Sequence, residues 1–351
     1  MQKTHDPSNA TKMFLEAAET PLRVEKQLTT NQAVIDDVAE VLASDKIHSV
    51  VTCGRGSSSH ATVYGKYLLE PALGKQVCAF SPSIASIFGA DLNLKDVLFL
   101  AVSQSGRSED LLRSVEMAGK GGAVTVGLTN APDSPLADLC DTTIPMLAGP
   151  ETSVAATKSF ICSLTTLAAL AFSSGADSAG RDALQTLPAL LNQAWNSDWT
   201  LALPTLSKAG SLFVTSRGAG LGIAKEAALK LKETSGLHAE ALSAAELRHG
   251  PMAVVSDGFP ILSFVPGDTS RQSVVDLAAY CASHGAECIM IGMVGVEIPG
   301  VLGLECPAGD DARLTPILQV QRFYRFANAL SLSRGKNPDN PPHLKKVTVT
   351  V

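Results

Sequence analysis

An α/β fold of two tandem, doubly wound parallel-sheet units is predicted by three features of the sequence. Short, almost wholly apolar runs alternate with helical periodicity, a strand-turn-helix pattern recurs at a fixed offset, and the composition suits two separate cores. The runs Val97-Leu-Phe-Leu-Ala-Val102 and Val124-Thr-Val-Gly-Leu128 are each bounded by turn residues, as expected of parallel strands covered on both faces by helices. Aligning Arg55-Gly56 with Arg217-Gly218 gives an offset of 162 residues, and in both copies a strand feeds a glycine-containing turn and then a helix. The 351 residues are 45% hydrophobic and only 18% charged, which is long enough for two domains and too apolar for disorder.

Taken in order, the chain opens with helical patterning over Thr11 to Leu28 and again over Ala33 to Leu42. The first strand is His48-Ser-Val-Val-Thr52, followed by a glycine- and serine-rich turn. Helix Glu109 to Ala118 connects the two runs named above. The richest apolar stretch, Phe160 to Phe172, is interrupted by Cys162, Ser163, Thr165 and Thr166, which disfavours a membrane span. The copies join near Gly175 to Asp198. The second copy supplies strands at Ser211-Leu-Phe-Val-Thr-Ser-Arg-Gly218, Pro260-Ile-Leu-Ser-Phe-Val265 and Cys288-Ile-Met-Ile-Gly292. The expected organisation is an amino-terminal helical segment over 1–29, domains over 30–180 and 195–340, and a tail over 341–351 that closes the active site.

Charge and cysteine usage narrow the function. With 28 Lys+Arg against 34 Asp+Glu the formal charge is −6, so no nucleic-acid partner is expected. The seven cysteines are scattered, with no Cys-x-x-Cys pair, and read as cytosolic thiols. The first residues, MQKTHDPSNATK, lack an apolar signal core. A cytoplasmic protein with no membrane partner is the expectation. The seven histidines show no H-x-x-x-H or H-E-x-x-H spacing, so no metal is expected.

Two turns carry the first candidate chemistry. Cys53-Gly-Arg-Gly-Ser-Ser-Ser-His60 and Ser103-Gln-Ser-Gly-Arg-Ser108 each follow a strand and open a helix, where free N–H groups and the positive helix end favour an anion. Helix capping is the plain alternative for either turn alone. After neighbouring strands of one sheet, the pair suits a phosphomonoester held by hydroxyls and amides. A nucleotide fits poorly. No G-x-x-x-x-G-K-[ST] occurs, and Ser59 stands where G-x-G-x-x-G needs its last glycine. In the second copy, Lys230 and Glu233 are three apart on a predicted helix and share a face; a surface ion pair is the plain reading. Sixteen residues beyond Glu233 comes His249, in Glu246-Leu-Arg-His-Gly-Pro251. A carboxylate, an ammonium and an imidazole suit proton transfer on a sugar.

These residues resemble the sugar-isomerase (SIS) domain family, and in particular the isomerase half of glucosamine-6-phosphate synthase. Six segments match in order: Cys53-Gly-Arg-Gly-Ser-Ser, Ser103-Gln-Ser-Gly-Arg-Ser, Glu151-Thr-Ser-Val-Ala-Ala-Thr-Lys158, Ala228-Leu-Lys-Leu-Lys-Glu233, Glu246-Leu-Arg-His-Gly-Pro251 and Leu344-Lys-Lys-Val-Thr-Val349. The resemblance implies that Ser58, Ser103, Gln104, Ser105 and Ser108 hold a sugar phosphate while Ser57, Val154 and Ala155 line the sugar. It implies Glu233 as the base that moves a proton between C1 and C2, with Lys230 near the reacting oxygens. It implies His249 as the ring-opening group, reaching the site from the partner copy of a homodimer. The lysine matching Lys346 forms an imine or supplies charge. The family's Cys-Gly-Thr-Ser turn is lengthened here, and Lys345 stands where the synthase has a small residue, so either Lys345 or Lys346 is left as the inward lysine.

No metal or organic cofactor is implied. The synthase also uses a glutaminase domain that begins with a cysteine after the initiator Met, whereas this sequence begins Met1-Gln-Lys. The expected activity is therefore a glucosamine-6-phosphate deaminase of the sugar-isomerase type, with a fructosamine-6-phosphate deglycase or a ketose/aldose phosphate isomerase as the alternative. A non-catalytic phosphosugar sensor is the third reading, against which the presence of Glu233, His249 and Lys346 together argues.

Overall fold

The apolar runs form the inner strands of two five-stranded sheets. A computed structural model describes residues 11–293, 295 and 297–346. The first sheet contains β1 (Ser49–Cys53), β2 (Gln76–Ala79), β3 (Val97–Ser103), β4 (Val124–Thr129) and β5 (Thr142–Pro145) in the order β2-β1-β3-β4-β5. Every pairing is parallel, with Cys53 opposite Ala101 and Ala101 opposite Gly127. Leu98 to Val102 of the central β3 are at most 1% exposed, which explains their unbroken apolarity. Phe99, Leu111, Val115 and Leu136 belong to one core cluster of this sheet and its helices.

The second sheet contains β6 (Ser211–Ser216), β7 (His238–Ser243), β8 (Pro260–Phe264), β9 (Glu287–Ile291) and β10 (Val301–Leu304), in the order β10-β9-β8-β6-β7. Read from its other edge this is the same strand order as the first sheet, again all parallel. The repeat extends to detail. The starts of β1 and β6, of β2 and β7, and of helices Glu109–Lys120 and Arg271–Ser283 are each 162 residues apart. Helices Gly56–Leu73 and Gly220–Ser235 both end on a left-handed glycine, Gly74 (φ 64°) and Gly236 (φ 59°). One fold written twice accounts for this coincidence.

The sheets lie in separate compact units. Among the described residues, one comprises Leu22–Pro150 and Ser159–Thr186; the other comprises Thr11–Pro21, Glu151–Lys158 and Leu187–Lys346. The amino-terminal patterning forms helices Lys12–Ala18, Thr20–Thr30 and Gln32–Ala43. The stretch read as the join is largely a helix, Ser178–Trp195. Of the tail expected to close the active site, residues 347–351 lie outside the described residues, as do residues 1–10 of the amino-terminal segment. Among the described residues no helix is long and apolar enough to cross a membrane.

Candidate active site

The first sheet sets the two serine turns at its topological switch point. In the order β2-β1-β3-β4-β5 the crossovers diverge between β1 and β3, and ligands of such sheets bind at the carboxyl ends of those strands. β1 ends at Cys53 and leads through Gly54 and Arg55 into the helix that carries Ser57 and Ser58 in its first turn. β3 ends at Ser103, and Gln104 to Ser108 lead into helix Glu109–Lys120. Ser103 Oγ accepts from Gly106 N at 3.0 Å and Ser105 Oγ from Arg107 N at 3.4 Å, which folds the turn and leaves each hydroxyl proton to be donated elsewhere. Gly106 is obligatory here. Its φ is +63°, and a Cβ would stand 2.1 Å from Ser134 Oγ.

Side-chain helix capping does not account for Ser108. Ser108 is the N-cap of its helix but makes no side-chain capping bond, and neither does Arg55 at the other helix. Arg55 Nε instead donates to Asp110 Oδ2 at 2.8 Å. The carboxylate is buried and sits in the first turn of the helix after β3, so this ion pair ties the two turns together. Ser103 is buried, whereas Ser57, Ser58, Gln104, Ser105 and Ser108 are part-exposed. Donors therefore line a surface that a phosphoryl group could reach.

The second unit concentrates charge on helix Gly220–Ser235. Glu226, Lys230 and Glu233 follow one another at spacings of four and three, which sets them on one face. Lys230 Nζ donates to Glu233 Oε2 at 2.5 Å and pairs with Glu226 Oε1 at 3.4 Å. The side chains of Lys230 and Glu226 are 1% and 0% exposed, against 20% for Glu233. The surface ion pair read from the spacing is thus corrected to a buried lysine with one solvent-facing carboxylate. Burial works against the lysine's charge, but the two carboxylates more than offset it and raise its pKa above the ordinary lysine value. Tyr324 donates to Glu226 Oε1 at 3.2 Å. Burial first, then the charges of Glu226, Glu151 and Glu233, push its phenol well above the usual range. Lys230 is therefore a fixed cation and Tyr324 a fixed donor, while Glu233 is the carboxylate of the three that faces solvent.

The segment Glu151–Lys158 belongs to this same unit. Glu151 Oε1 accepts from Thr157 N at 2.9 Å, and its Oε2 from Lys346 Nζ at 3.2 Å. Lys346 is the part-buried lysine of the pair left open by the sequence, and Lys345 is exposed. Val154 presents some surface; Ala155 is wholly buried. His249 follows the short 3-10 turn Glu246–Arg248 and is exposed. Among the described residues no hydrogen bond or ion pair joins it to Lys230 or Glu233. The chain by itself brings the carboxylate and the ammonium together and leaves the imidazole on the surface.

A family model for the SIS domain matches residues 45–173 and 205–295. The chain belongs to the SIS domain family. The first matched stretch holds both serine turns and the segment Glu151–Lys158; the second holds Lys230, Glu233 and His249. The isomerizing glutamine--fructose-6-phosphate aminotransferase of Thermococcus kodakarensis is 32% identical over 97% of this chain and 58% of its own length. The chain thus spans little more than half of that curated relative. Among solved structures, a candidate phosphosugar isomerase from Silicibacter pomeroyi DSS-3 is 38% identical with a TM-score of 0.89, covering 94% of this chain and 100% of that one. The C-terminal domain of glucosamine-fructose-6-phosphate aminotransferase from Francisella tularensis is 25% identical, with a TM-score of 0.86 and coverage of 95% and 98%. This SIS protein therefore has homologues among the isomerase parts of sugar-phosphate aminotransferases and among phosphosugar isomerases.

Sequence reasoning passed over Glu226 and Tyr324. Glu226 was within reach, because it lies one helical turn before Lys230. Tyr324 arrives from a distant stretch of chain and leaves no local signal. The cysteines are all free thiols. Burial pushes those of Cys53, Cys140, Cys288 and Cys306 up to about 12, which leaves them inert as nucleophiles at neutral pH.

Proposed function

We propose that this SIS protein is a glucosamine-6-phosphate deaminase. A hexosamine phosphate has two recognisable ends, and the chain offers chemistry for each. The hydroxyls of Ser57, Ser58, Ser103, Ser105 and Ser108, with the Gln104 amide, suit the dianionic phosphoryl group. The carboxylate of Glu233 beside the fixed charge of Lys230 suits C1 and C2 of the opened sugar, and this pair is the observation that carries the reading. In the proposed reaction His249 of a partner copy assists opening of the ring to the C1 aldehyde. Glu233 removes the proton from C2 and returns it to C1, while Lys230 stabilises the negative charge that develops on the C1 oxygen. The C2 imine so formed takes up water and expels ammonia, giving fructose 6-phosphate. No second nitrogen donor enters the balance. Lys346 supplies positive charge near the sugar or forms an imine with the ketose. The reading places the protein in the cytoplasm, and seven free cysteines suit a reducing compartment.

A second reading has its own support. The full-length match to a candidate phosphosugar isomerase is the highest identity reported above, and Glu233 could serve an aldose/ketose isomerase or a fructosamine-6-phosphate deglycase equally well. Incubation with glucosamine 6-phosphate, with ammonia and fructose 6-phosphate both measured, separates the readings. Equimolar release of the two is expected. No ammonia, together with turnover of a fructosamine phosphate or a ketose phosphate, would replace the deaminase by the second reading.

A further inference from the structure

Residues 151–157 have no helix or strand to satisfy their backbone, yet this loop and Lys158, which opens helix Lys158–Ser174, are held by carboxylates from the start of the chain. Glu16, on helix Lys12–Ala18, is 8% exposed. Its Oε1 accepts from Thr152 N at 2.6 Å and Thr152 Oγ1 at 2.9 Å, and its Oε2 accepts from Ser153 N at 3.1 Å. Three residues on, Glu19 Oε2 accepts from the buried Lys158 Nζ at 2.8 Å. Between these two fastenings Glu151 accepts from Thr157 N and from Lys346. Three backbone or hydroxyl donors of one irregular loop thus end on Glu16, and the ammonium of Lys158 at its far end pairs with Glu19. Such charge-assisted bonds fix the loop more firmly than its own turn geometry could.

We infer that Glu16 and Glu19 are positioning residues: they set the backbone at Thr152–Ser153 and anchor Lys158, and thereby fix where Val154 and the Glu151–Lys346 pair stand. The inference rests on the proposed reading only in taking Val154 and Lys346 to meet a sugar phosphate. It makes the first helix, which precedes the repeat, a working part of the site. Glu16 accepts at both oxygens, so an amide in its place must turn an NH₂ toward one of the loop's N–H groups. Glu16→Gln therefore loses at least one bond while conserving size.

The test compares wild type, Glu16→Gln and the milder Thr152→Val, which removes only the hydroxyl bond. Steady-state kinetics with glucosamine 6-phosphate are combined with amide hydrogen exchange over residues 151–158. Glu16→Gln is expected to raise KM roughly tenfold or more with kcat changed much less, and to speed exchange in the loop while β6 and β8 keep their protection. Thr152→Val should shift both in the same sense by a smaller factor. Unchanged loop exchange in both variants would overturn the inference whatever the wild type does with the sugar. A lowered kcat at unchanged KM would also overturn it, because that signals loss of folded protein and not a displaced loop. Faster loop exchange in a protein that neither binds nor turns over the sugar phosphate would leave the fastening standing and overturn the proposed substrate instead.

Discussion

Glu233 differs from its neighbours in one respect: it is the only member of the Glu226–Lys230–Glu233 row that reaches solvent. A general base needs that access, and it needs a nearby charge that does not itself titrate. Lys230 meets the second condition. Its raised pKa means that the folded state holds its proton more tightly than the unfolded chain. The stabilisation this gives is complete below the unfolded lysine value and is lost only as pH rises through the still higher folded value. The kcat–pH profile should consequently show no basic limb from Lys230 below about pH 10, and a limb near neutrality that disappears in a Lys230 variant would contradict this. Glu233→Gln keeps the size and removes the proposed base, so turnover should fall roughly 10²- to 10⁴-fold while substrate still binds, as isothermal titration would record. Near-wild-type turnover would mean that another group takes the proton. Lys230 and Glu233 were legible in the sequence because their spacing alone sets them on one face. Their burial was not, because it comes from helix Thr315–Ser333 and Tyr324, nearly a hundred residues away in sequence.

At the scale of elements, the strand-turn-helix junctions after β1 and β3 are the units that matter, and their geometry rests on few residues. Gly106 is the tightest point. Alanine there must adopt a left-handed backbone, at roughly 1–2 kcal/mol, and its methyl would have to displace the buried Ser134 hydroxyl. Gly106→Ala should therefore lower stability to denaturant and, by shifting Ser105, raise KM more than it lowers kcat. An unaltered KM would detach this turn from phosphate binding. The inner strands were legible from composition: β3, β4, β8 and β9 coincide with the apolar runs to within one residue at each end, and β6 stops two residues short of the run read for it. The outer strands β2, β5, β7 and β10 were not read as strands. They include Gln76, Thr142, His238 and Gly303, and a strand with neighbours on one side only needs no continuous apolar surface to be placed. Strand order was likewise invisible residue by residue, although the 162-residue offset already implied that both sheets would share one.

At the scale of the whole molecule the decisive residue is His249, because the chain alone leaves it exposed and apart from the Lys230–Glu233 pair. If ring opening requires an imidazole at the sugar, a second copy is the natural source, since two-fold symmetric dimers exchange equivalent residues reciprocally. Subunit complementation tests this directly. Glu233→Gln and His249→Asn are each expected to be nearly inactive as pure proteins. In a mixed dimer, the site that combines Glu233 of one chain with His249 of the other is intact, and the remaining site lacks both groups. Differently tagged copies, co-expressed and purified through both tags, should thus recover about half of the wild-type turnover per dimer. If each chain used its own histidine, every site in the mixed dimer would still lack one group. Activity no higher than that of the parents would then return His249 to its own chain, and failure to isolate any mixed dimer would remove the partner copy from the mechanism altogether.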